Sequence, residues 1–136
     1  MDTVPALVRS GIMRRVRSED TKPEMLVRRL VHSMGFRYRL HGKSLPGKPD
    51  LVFSVRCKAI FVHGCFWHGH KCEAGELPAS NTEYWQAKRN RNVARDRRNL
   101  KSLARVGWRA LVIWECELRN IERTRTRLVK FLSGTT

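Results

Sequence analysis

The segment that most constrains this chain is residues 61–72, FVHGCFWHGHKC, which crowds metal-binding side chains directly after an apolar run. Cys65, His70 and Cys72 fall within eight residues, so one short loop can wrap all three around a single ion. Tetrahedral zinc needs a fourth ligand, and Cys116 is the candidate because it follows a second apolar run. The segment therefore predicts a closed, structural zinc site, with ordinary buried thiols beside a surface histidine as the alternative.

The charge balance points to a polyanionic partner. The 136 residues include 28 Lys and Arg against 12 Asp and Glu, a net charge of +16. An excess of this size favours nucleic acid over a merely soluble basic surface. No apolar run approaches the ~20 residues of a membrane span, and residues 1–18 lack the apolar core of a signal peptide. We therefore expect a cytoplasmic monomer with no membrane partner.

The apolar periodicity predicts the element order α-β-β-β-α-β-α, an α/β domain with a central mixed β-sheet flanked by helices. Thr21 and Glu24 match a capping box for a first helix, and Gly35 is a natural stop. The alternation in 36–40 predicts a strand. Residues 1–20 are predicted to form a basic arm or a short helix that contacts DNA, and 21–136 a single domain.

A β-hairpin follows from two short apolar runs, DLVFSV and CKAIFV, with Cys57 opening the second strand and assigned to packing. Asn81 or Thr82 can cap a long helix that ends near residue 106. The run 108–115 is typical of a buried strand, with Trp108 and Trp114 in the core. The last fourteen-residue segment, NIERTRTRLVKFLS, has helical spacing.

The hairpin also predicts a catalytic carboxylate. Asp50 opens its first strand and His63 ends its second, so the two residues are expected side by side at one edge of the sheet. A carboxylate oxygen suits Mg²⁺, and a neutral imidazole nearby could take a proton from an attacking water. A simple turn carboxylate is an equally good interpretation of Asp50. The capping box already explains Glu24, which remains a candidate partner of the centre.

Aromatic and basic residues supply candidate DNA contacts. Phe66 and Trp67 are adjacent in an irregular loop, so at least one is expected to be exposed for base stacking or wedging. Trp85 could join them, with core packing as the alternative. Residues 88–105 hold eight basic residues and one acidic residue, which favours phosphate contact. The expected phosphate contacts are Lys88, Arg89, Arg91 and Arg95.

Six segments resemble, in order, those of the very short patch repair (Vsr) DNA mismatch endonucleases. They are MRRVRSEDTKPE, LPGKPDLVF, FVHGCFWHGHKC, NTEYW, RNVARDRRN and GWRALVIWECEL. The resemblance implies a restriction-endonuclease-like fold and a hydrolase that nicks duplex DNA 5′ of the thymine in a T:G mismatch. Such mismatches arise by deamination of 5-methylcytosine, and the nick begins very short patch repair. The implied cofactors are catalytic Mg²⁺ and structural Zn²⁺.

The same resemblance implies a role for individual residues. Asp50 resembles the Mg²⁺-binding carboxylate, and only the backbone carbonyl of Val62 could join it as a ligand. His68 resembles the proposed general base, while His63 and Glu24 resemble partners of the metal-bound waters. The zinc ligands match those inferred from spacing: Cys65, His70, Cys72 and Cys116. The residues that resemble aromatics or apolar wedges inserted into DNA are Phe66, Trp67, Trp85, Met13 and Val16.

Two other functions stay open on the sequence. One is a restriction-type endonuclease that cuts matched DNA, with the aromatics distorting its site. The other is a zinc-stabilised DNA-binding module without catalysis. Under the favoured interpretation the main partner is double-stranded DNA with a T:G mismatch. Other mismatch-repair proteins are further candidates, and a bacterial, nucleoid-associated location is expected on DNA.

Overall fold

The computed structural model describes residues 20–65, 68, 70 and 80–134. The predicted N-terminal arm through residue 19, with Met13 and Val16, lies outside the described residues. The described chain forms three α-helices and four strands in the predicted order. They are α1 (Lys22–Ser33), β1 (Arg39–Leu40), β2 (Leu51–Phe53), β3 (Lys58–His63), α2 (Thr82–Arg105), β4 (Arg109–Trp114) and α3 (Ile121–Ser133).

The strands form one mixed sheet in the order β1-β2-β3-β4. The β1–β2 and β2–β3 pairs are antiparallel, as a meander requires, and Leu51 lies opposite Ile60. β4 pairs in parallel with β3, from Lys58 opposite Arg109 to His63 opposite Trp114. A parallel neighbour needs a long crossover, which contains α2. The α/β class with a mixed sheet flanked by helices is therefore confirmed.

The first helix begins and ends as the sequence predicts, but its capping box is only half formed. The Thr21 hydroxyl accepts the Glu24 N–H at 3.3 Å, and Gly35 adopts φ = 84° after the last turn. The Glu24 carboxylate accepts the Asp20 N–H at 3.2 Å instead of closing on Thr21. Glu24 is only 1% exposed. The first turn of α1 therefore delivers a carboxylate to the interior of the protein.

The core joins α1, the sheet and α3. Its buried side chains are Val27, Leu30, Val31, Leu51, Phe53, Ile60, Ile113, Leu118, Leu128 and Leu132. Lys58 is buried at the start of β3, where its Nζ donates to the carbonyls of Phe131 and Gly134 at 2.6 and 2.7 Å. Burial lowers the pKa of Lys58. These bonds satisfy carbonyls at the C-terminus of α3 and fix that helix to the sheet.

Two predicted details are wrong, one in the strand before the hairpin and one in the hairpin itself. The strand expected over 36–40 pairs only at Arg39 and Leu40, because β2 offers just three residues before the chain turns into a short 3-10 helix, Ser54–Arg56. Cys57 does not pack in a strand. It ends that 3-10 helix in a left-handed conformation, φ = 53°, and is exposed.

The prediction that the strand over 108–115 is of the buried type is also wrong. Among the described strands β4 has a single neighbour, and of its six residues only Ile113 is buried. Trp108 and Trp114 are half-buried. Trp114 instead contacts the imidazoles of the candidate site described below. Within the described parts of the chain, no helix combines the length and apolar character needed to cross a membrane.

Candidate active site

A cleft of about 1150 Å³ lies between the start of α1, the edge of the hairpin and one face of α2. Five candidate residues of the catalytic centre line it: Glu24, Asp50, Val62, His63 and His68. These residues come from a helix, a loop, a strand and the segment after that strand. The fold therefore gathers one set of candidate catalytic groups from four separate stretches of sequence.

The hairpin holds the Asp50 carboxylate in place. Pro49 is buried, and the Asp50 N–H donates to the Ile60 carbonyl at 3.0 Å, which ties the residue before β2 to β3. The Val62 N–H donates to Asp50 Oδ2 at 2.7 Å. In a β-strand the N–H and C=O of one residue face the same neighbouring strand, so the Val62 carbonyl faces the Asp50 side. A carboxylate and a backbone carbonyl thus converge on this part of the cleft.

Asp50 lies in an environment that disfavours its negative charge. Its pKa is raised from 3.8 to about 6, first by burial and next by the neighbouring Glu24 carboxyl, which lies within hydrogen-bonding reach. The Val62 N–H and His41 act in the opposite direction. Two adjacent carboxyl groups with hard oxygen ligands form a set that a divalent cation such as Mg²⁺ would neutralise. The residues present therefore fit a Mg²⁺ site.

Glu24 is surrounded by donors that the sequence did not identify. Arg28 Nη2 lies 2.6 Å from Glu24 Oε2, and His41 Nε2 lies 2.9 Å from the same oxygen. We refer to Glu24, Asp50 and His41 as the carboxylate cluster. Sequence reasoning missed His41 because it lies in a turn-rich loop with no motif of its own. His41 can be identified only from the folded structure, in which that loop packs back against α1.

Two histidines form a stacked pair at the end of β3. The rings of His63 and His68 lie 3.8 Å apart and within 3° of parallel, and Trp114 packs edge-on against His63. The pKa of His63 is lowered from 6.5 to about 4, first by burial and next by the neighbouring His68. His63 is therefore neutral near pH 7. A neutral ring can accept or donate a hydrogen bond in the cleft without adding charge.

Asp96 orients the second ring of this pair. His68 Nδ1 lies 2.5 Å from Asp96 Oδ2. A carboxylate can only accept, so Nδ1 carries the proton and Nε2 is left with a free lone pair. Asp96 is the lone acidic residue in the basic stretch 88–105, and that isolation is the sequence signal that could have identified it.

A second group of ligand-type residues follows β3, and we refer to Cys65, His70 and Cys116 as the thiol cluster. Their ligand atoms all lie within 4.8 Å of one another, and Cys116 Sγ is 3.4 Å from His70 Nδ1. Zinc bonds of ordinary length at a tetrahedral angle place sulfur and nitrogen ligands roughly 3.5 Å apart. The three residues therefore fit a zinc site, and the fourth predicted ligand, Cys72, lies outside the described residues.

Backbone contacts hold the thiol cluster beside the sheet. The His70 N–H donates to the Cys65 carbonyl at 3.0 Å, and the Cys116 N–H lies 3.4 Å from Cys65 Sγ. The ring of Trp114 stacks on His70 at 4.3 Å. Trp114 thus separates the thiol cluster from the stacked histidines, which explains why this tryptophan is not in the core.

The basic face of α2 borders the cleft. Lys88 and Arg89 are half-buried, whereas Arg91 and Arg95 are exposed, and Arg95 also lines the cleft. Trp85 is half-buried and packs edge-to-face with the exposed Tyr84 at 5.0 Å, with Lys88 Nζ near both rings. Phe66 and Trp67 lie outside the described residues.

Comparisons with known proteins identify the family of this chain. The family described as "DNA mismatch endonuclease Vsr" matches residues 1–74. The chain is 51% identical over 124 residues to "Type II nicking enzyme V.XorIIP" from Xanthomonas oryzae pv. oryzae, covering 91% of each chain. It is 44% identical over 115 residues to "DNA mismatch endonuclease Vsr" from Escherichia coli, covering 85% of this chain and 74% of that one.

A solved structure shares the fold. The catalytic domain of the homing endonuclease I-Bth0305I superposes with a TM-score of 0.58 at 25% identity. The match covers 82% of this chain and 94% of that domain. A nuclease catalytic domain is thus built on the same arrangement of sheet and helices.

Proposed function

Because the chain belongs to the DNA mismatch endonuclease Vsr family, and is a DNA-cleaving hydrolase, we propose that it nicks duplex DNA at T:G mismatches in a Mg²⁺-dependent reaction. The nick falls 5′ of the mismatched thymine and begins very short patch repair of deaminated 5-methylcytosine. The observation that carries the proposal is the placement of the Asp50 and Glu24 carboxyl groups in one cleft with the oriented imidazole of His68.

Asp50 and the Val62 carbonyl are the groups that would hold the catalytic ion. Bound Mg²⁺ would stabilise the negative charge that develops on the phosphate during hydrolysis. Glu24 lies within hydrogen-bonding reach of Asp50, so its charge would add to the attraction for the ion and for the water around it. The neutral imidazole of His63 lines the same cleft. These residues together bind and orient water opposite the scissile phosphate.

His68 serves as the general base. Its Nδ1 donates to Asp96, which fixes the tautomer whose Nε2 can take a proton from the attacking water. As the proton arrives, the adjacent Asp96 carboxylate stabilises the imidazolium cation. The stacked ring of His63 holds the His68 plane in place without competing for that carboxylate. The pair therefore activates water at a fixed position relative to Asp50.

The zinc site supports recognition of the substrate. Zn²⁺ held by Cys65, His70, Cys116 and Cys72 would brace the loop that carries Phe66 and Trp67. A braced loop can press aromatic side chains between stacked bases, and unstacking is least costly at a mismatch. Trp85 joins the wedge from the start of α2. The N-terminal arm supplies Met13 and Val16 from the minor-groove side.

The basic face of α2 supplies phosphate contacts. Lys88, Arg89, Arg91 and Arg95 belong to a helix with a single acidic residue between positions 88 and 105, and that residue is already paired with His68. We assign the acting unit to one restriction-endonuclease-like domain, residues 21–136, that works as a monomer. The bacterial sources and DNA-acting names of the relatives support a cytoplasmic location.

Strand nicking on end-labelled duplexes tests this function. The duplexes carry T:G, C:G or T:A at one position in varied flanks, with Mg²⁺ or EDTA, and Asp50→Ala serves as the inactive control. The expected result is a Mg²⁺-dependent nick 5′ of the mismatched thymine that the variant does not make. Equal cutting of matched duplexes would instead assign the protein to the restriction type. Tight binding without cutting in any flank would leave only a DNA-binding module.

Trp67→Ala tests the wedge separately. The expected result is a loss of affinity for the T:G duplex that clearly exceeds the loss for the matched duplex. The reason is that inserting Trp67 requires bases to unstack, and the free-energy cost of unstacking is lowest at a mismatch. Equal losses on both duplexes would contradict the wedge and leave Trp67 as a general contact.

A further inference from the structure

His41 connects the two carboxylates of the cleft through two different groups. Its backbone N–H donates to the Asp50 carbonyl at 3.0 Å, and its ring Nε2 lies 2.9 Å from Glu24 Oε2. Its φ of 50° is a left-handed value that turns the chain directly after β1. That turn brings a residue anchored on the sheet back to the first turn of α1. The helix carboxylate and the strand carboxylate are thereby tied to one residue.

The hydrogen-bonding roles at Glu24 are fixed by chemistry. A carboxylate oxygen only accepts, so His41 Nε2 carries the proton that lies between the two groups. Glu24 Oε2 also receives Arg28 Nη2 at 2.6 Å, and Oε1 receives the Asp20 N–H at 3.2 Å. Since Glu24 is 1% exposed, these donors replace the water that its burial removes. Its orientation relative to Asp50 therefore depends on protein donors.

A second metal site at this place is the competing interpretation. Asp20, Glu24 and His41 offer three ligand atoms within 4.8 Å of one another. The Arg28 guanidinium, however, contacts the carboxylates of both Asp20 and Glu24. A cationic side chain thus already neutralises this group of acids. The geometry favours a fixed support for Glu24 over a further ion.

We propose that His41 is a positioning residue, which holds the Glu24 carboxylate against Asp50 so that the pair binds its divalent cation. The proposal rests on the Mg²⁺ site of the proposed function. Hydrogen-bond partners behind a metal centre typically change affinity or activity roughly 10- to 100-fold when they are removed. Of the three donors to Glu24 named above, all in the described part of the chain, only His41 also bonds to Asp50 through its backbone. His41 therefore helps to fix the distance between the Glu24 and Asp50 carboxylates.

The experiment compares His41→Gln with His41→Asn. A glutamine amide nitrogen reaches approximately the position of Nε2 and keeps the donor, whereas the shorter asparagine does not reach Glu24. Backbone strain works in the opposite direction, because asparagine is the better residue at a positive φ. Weaker ion binding in the asparagine variant therefore cannot come from the turn. Thermal unfolding without added divalent ion shows that both variants are folded.

The readout is Mn²⁺ binding by the full chain, prepared with one equivalent of Zn²⁺ and followed by the electron paramagnetic resonance of free Mn²⁺. Mn²⁺ takes the same oxygen ligands as Mg²⁺. We expect His41→Asn to bind Mn²⁺ roughly 10-fold or more weakly, and His41→Gln to stay within about threefold of wild type. Equal affinities for wild type and His41→Asn, equal losses in both variants, or no Mn²⁺ binding by wild type would overturn the proposal.

A double-mutant cycle with Glu24→Gln tests whether His41 acts on ion binding through Glu24. If His41 acts through Glu24, adding His41→Asn to Glu24→Gln changes Mn²⁺ affinity by less than about twofold. Fully additive losses would show that His41 acts elsewhere and would overturn the proposal. Mn²⁺ affinity does not depend on which DNA is cut. The double-mutant cycle can therefore give the expected result in a protein that fails to nick T:G duplexes. That outcome would refute the proposed function and leave this inference standing.

Discussion

The thiol cluster and the carboxylate cluster flank the end of the same strand and make opposite demands on the fold. Cys65 follows β3 by two residues, whereas Asp50 accepts the N–H of Val62 within it. The thiol cluster offers sulfur and nitrogen ligands at spacings that suit a closed zinc site. The carboxylate cluster instead crowds negative charge into a cleft open to a substrate.

This difference separates stability from function. A closed zinc site, as proposed here, would tie the segment after β3 to the segment after β4 and would stabilise the native state. The ionised Asp50 carboxylate destabilises the native state when no cation is bound, because burial first and the adjacent Glu24 next raise its pKa. Changes in the first cluster should therefore act mainly on folding. Changes in the second should act mainly on chemistry, and can even stabilise the protein.

The largest expected effect comes from removing the carboxylate of Asp50. We expect Asp50→Ala to lower the nicking rate roughly 10³-fold, because metal-assisted charge stabilisation contributes several kcal/mol. The far-ultraviolet circular dichroism and the zinc content should not change. Glu122→Ala is the control, since this carboxylate on α3 is 83% exposed. Loss of zinc in Asp50→Ala would break the proposed separation of the two clusters.

The next largest effect is expected at the thiol cluster. Cys65→Ser should abolish stoichiometric zinc binding and lower the free energy of unfolding by about 3 kcal/mol or more, as measured by urea titration. The buried Cys65 sulfur is replaced by a poorer zinc ligand. Cys57→Ser is the matched control, because Cys57 is exposed and remote from the cluster. One retained equivalent of zinc in Cys65→Ser would refute the zinc assignment.

The stacked histidines extend the comparison of the two clusters. They have a proposed role in catalysis, but they do not place two like charges side by side. Asp96→Asn should lower kcat roughly 10²-fold, since an amide can donate to His68 Nδ1 and favour the tautomer whose Nε2 cannot accept a proton. Mn²⁺ affinity and DNA affinity should stay near wild type, which distinguishes this variant from those in the carboxylate cluster. An unchanged kcat would remove Asp96 from the mechanism.

The sequence identified the thiol cluster more readily because its ligands are close together in the chain. Cys65 and His70 lie on one short segment, and Cys116 follows the next strand of the sheet. When ligands lie on one short segment, their spacing in the sequence indicates a metal site before the tertiary structure is known. The fold class was predicted for a related reason, since long periodic segments and their order determine the layers.

The carboxylate cluster was only partly predictable because it is assembled over distance. Asp50 could be placed at a strand entrance, but His41 joins Glu24 across seventeen residues through a loop with a positive φ. Asp96 meets His68 across twenty-eight residues. The burial of β4 was overestimated because an apolar run does not reveal whether its strand has one neighbour or two. Each failure concerns a contact between segments.

The smallest expected effect is a gain in stability at the carboxylate cluster. Asp50→Asn keeps an oxygen that can accept the Val62 N–H but carries no charge. Since burial first and Glu24 next raise the pKa of Asp50 from 3.8 to about 6, the ionised wild-type group costs on the order of 2–3 kcal/mol. Without divalent ions, Asp50→Asn should be more stable than wild type by about that amount at pH 8.

The sign of the pH dependence makes this prediction specific. A raised folded-state pKa means that the wild-type group contributes its full stability below pH 3.8 and loses it as the pH rises through about 6. The advantage of Asp50→Asn should therefore be complete above pH 6 and disappear as the pH falls from 6 to 4. Mg²⁺ should also shrink the difference at pH 8, because it stabilises only the protein that binds it. A constant difference across this range would show that Asp50 is not the strained group, and the contrast between the two clusters would then rest on the thiol cluster alone.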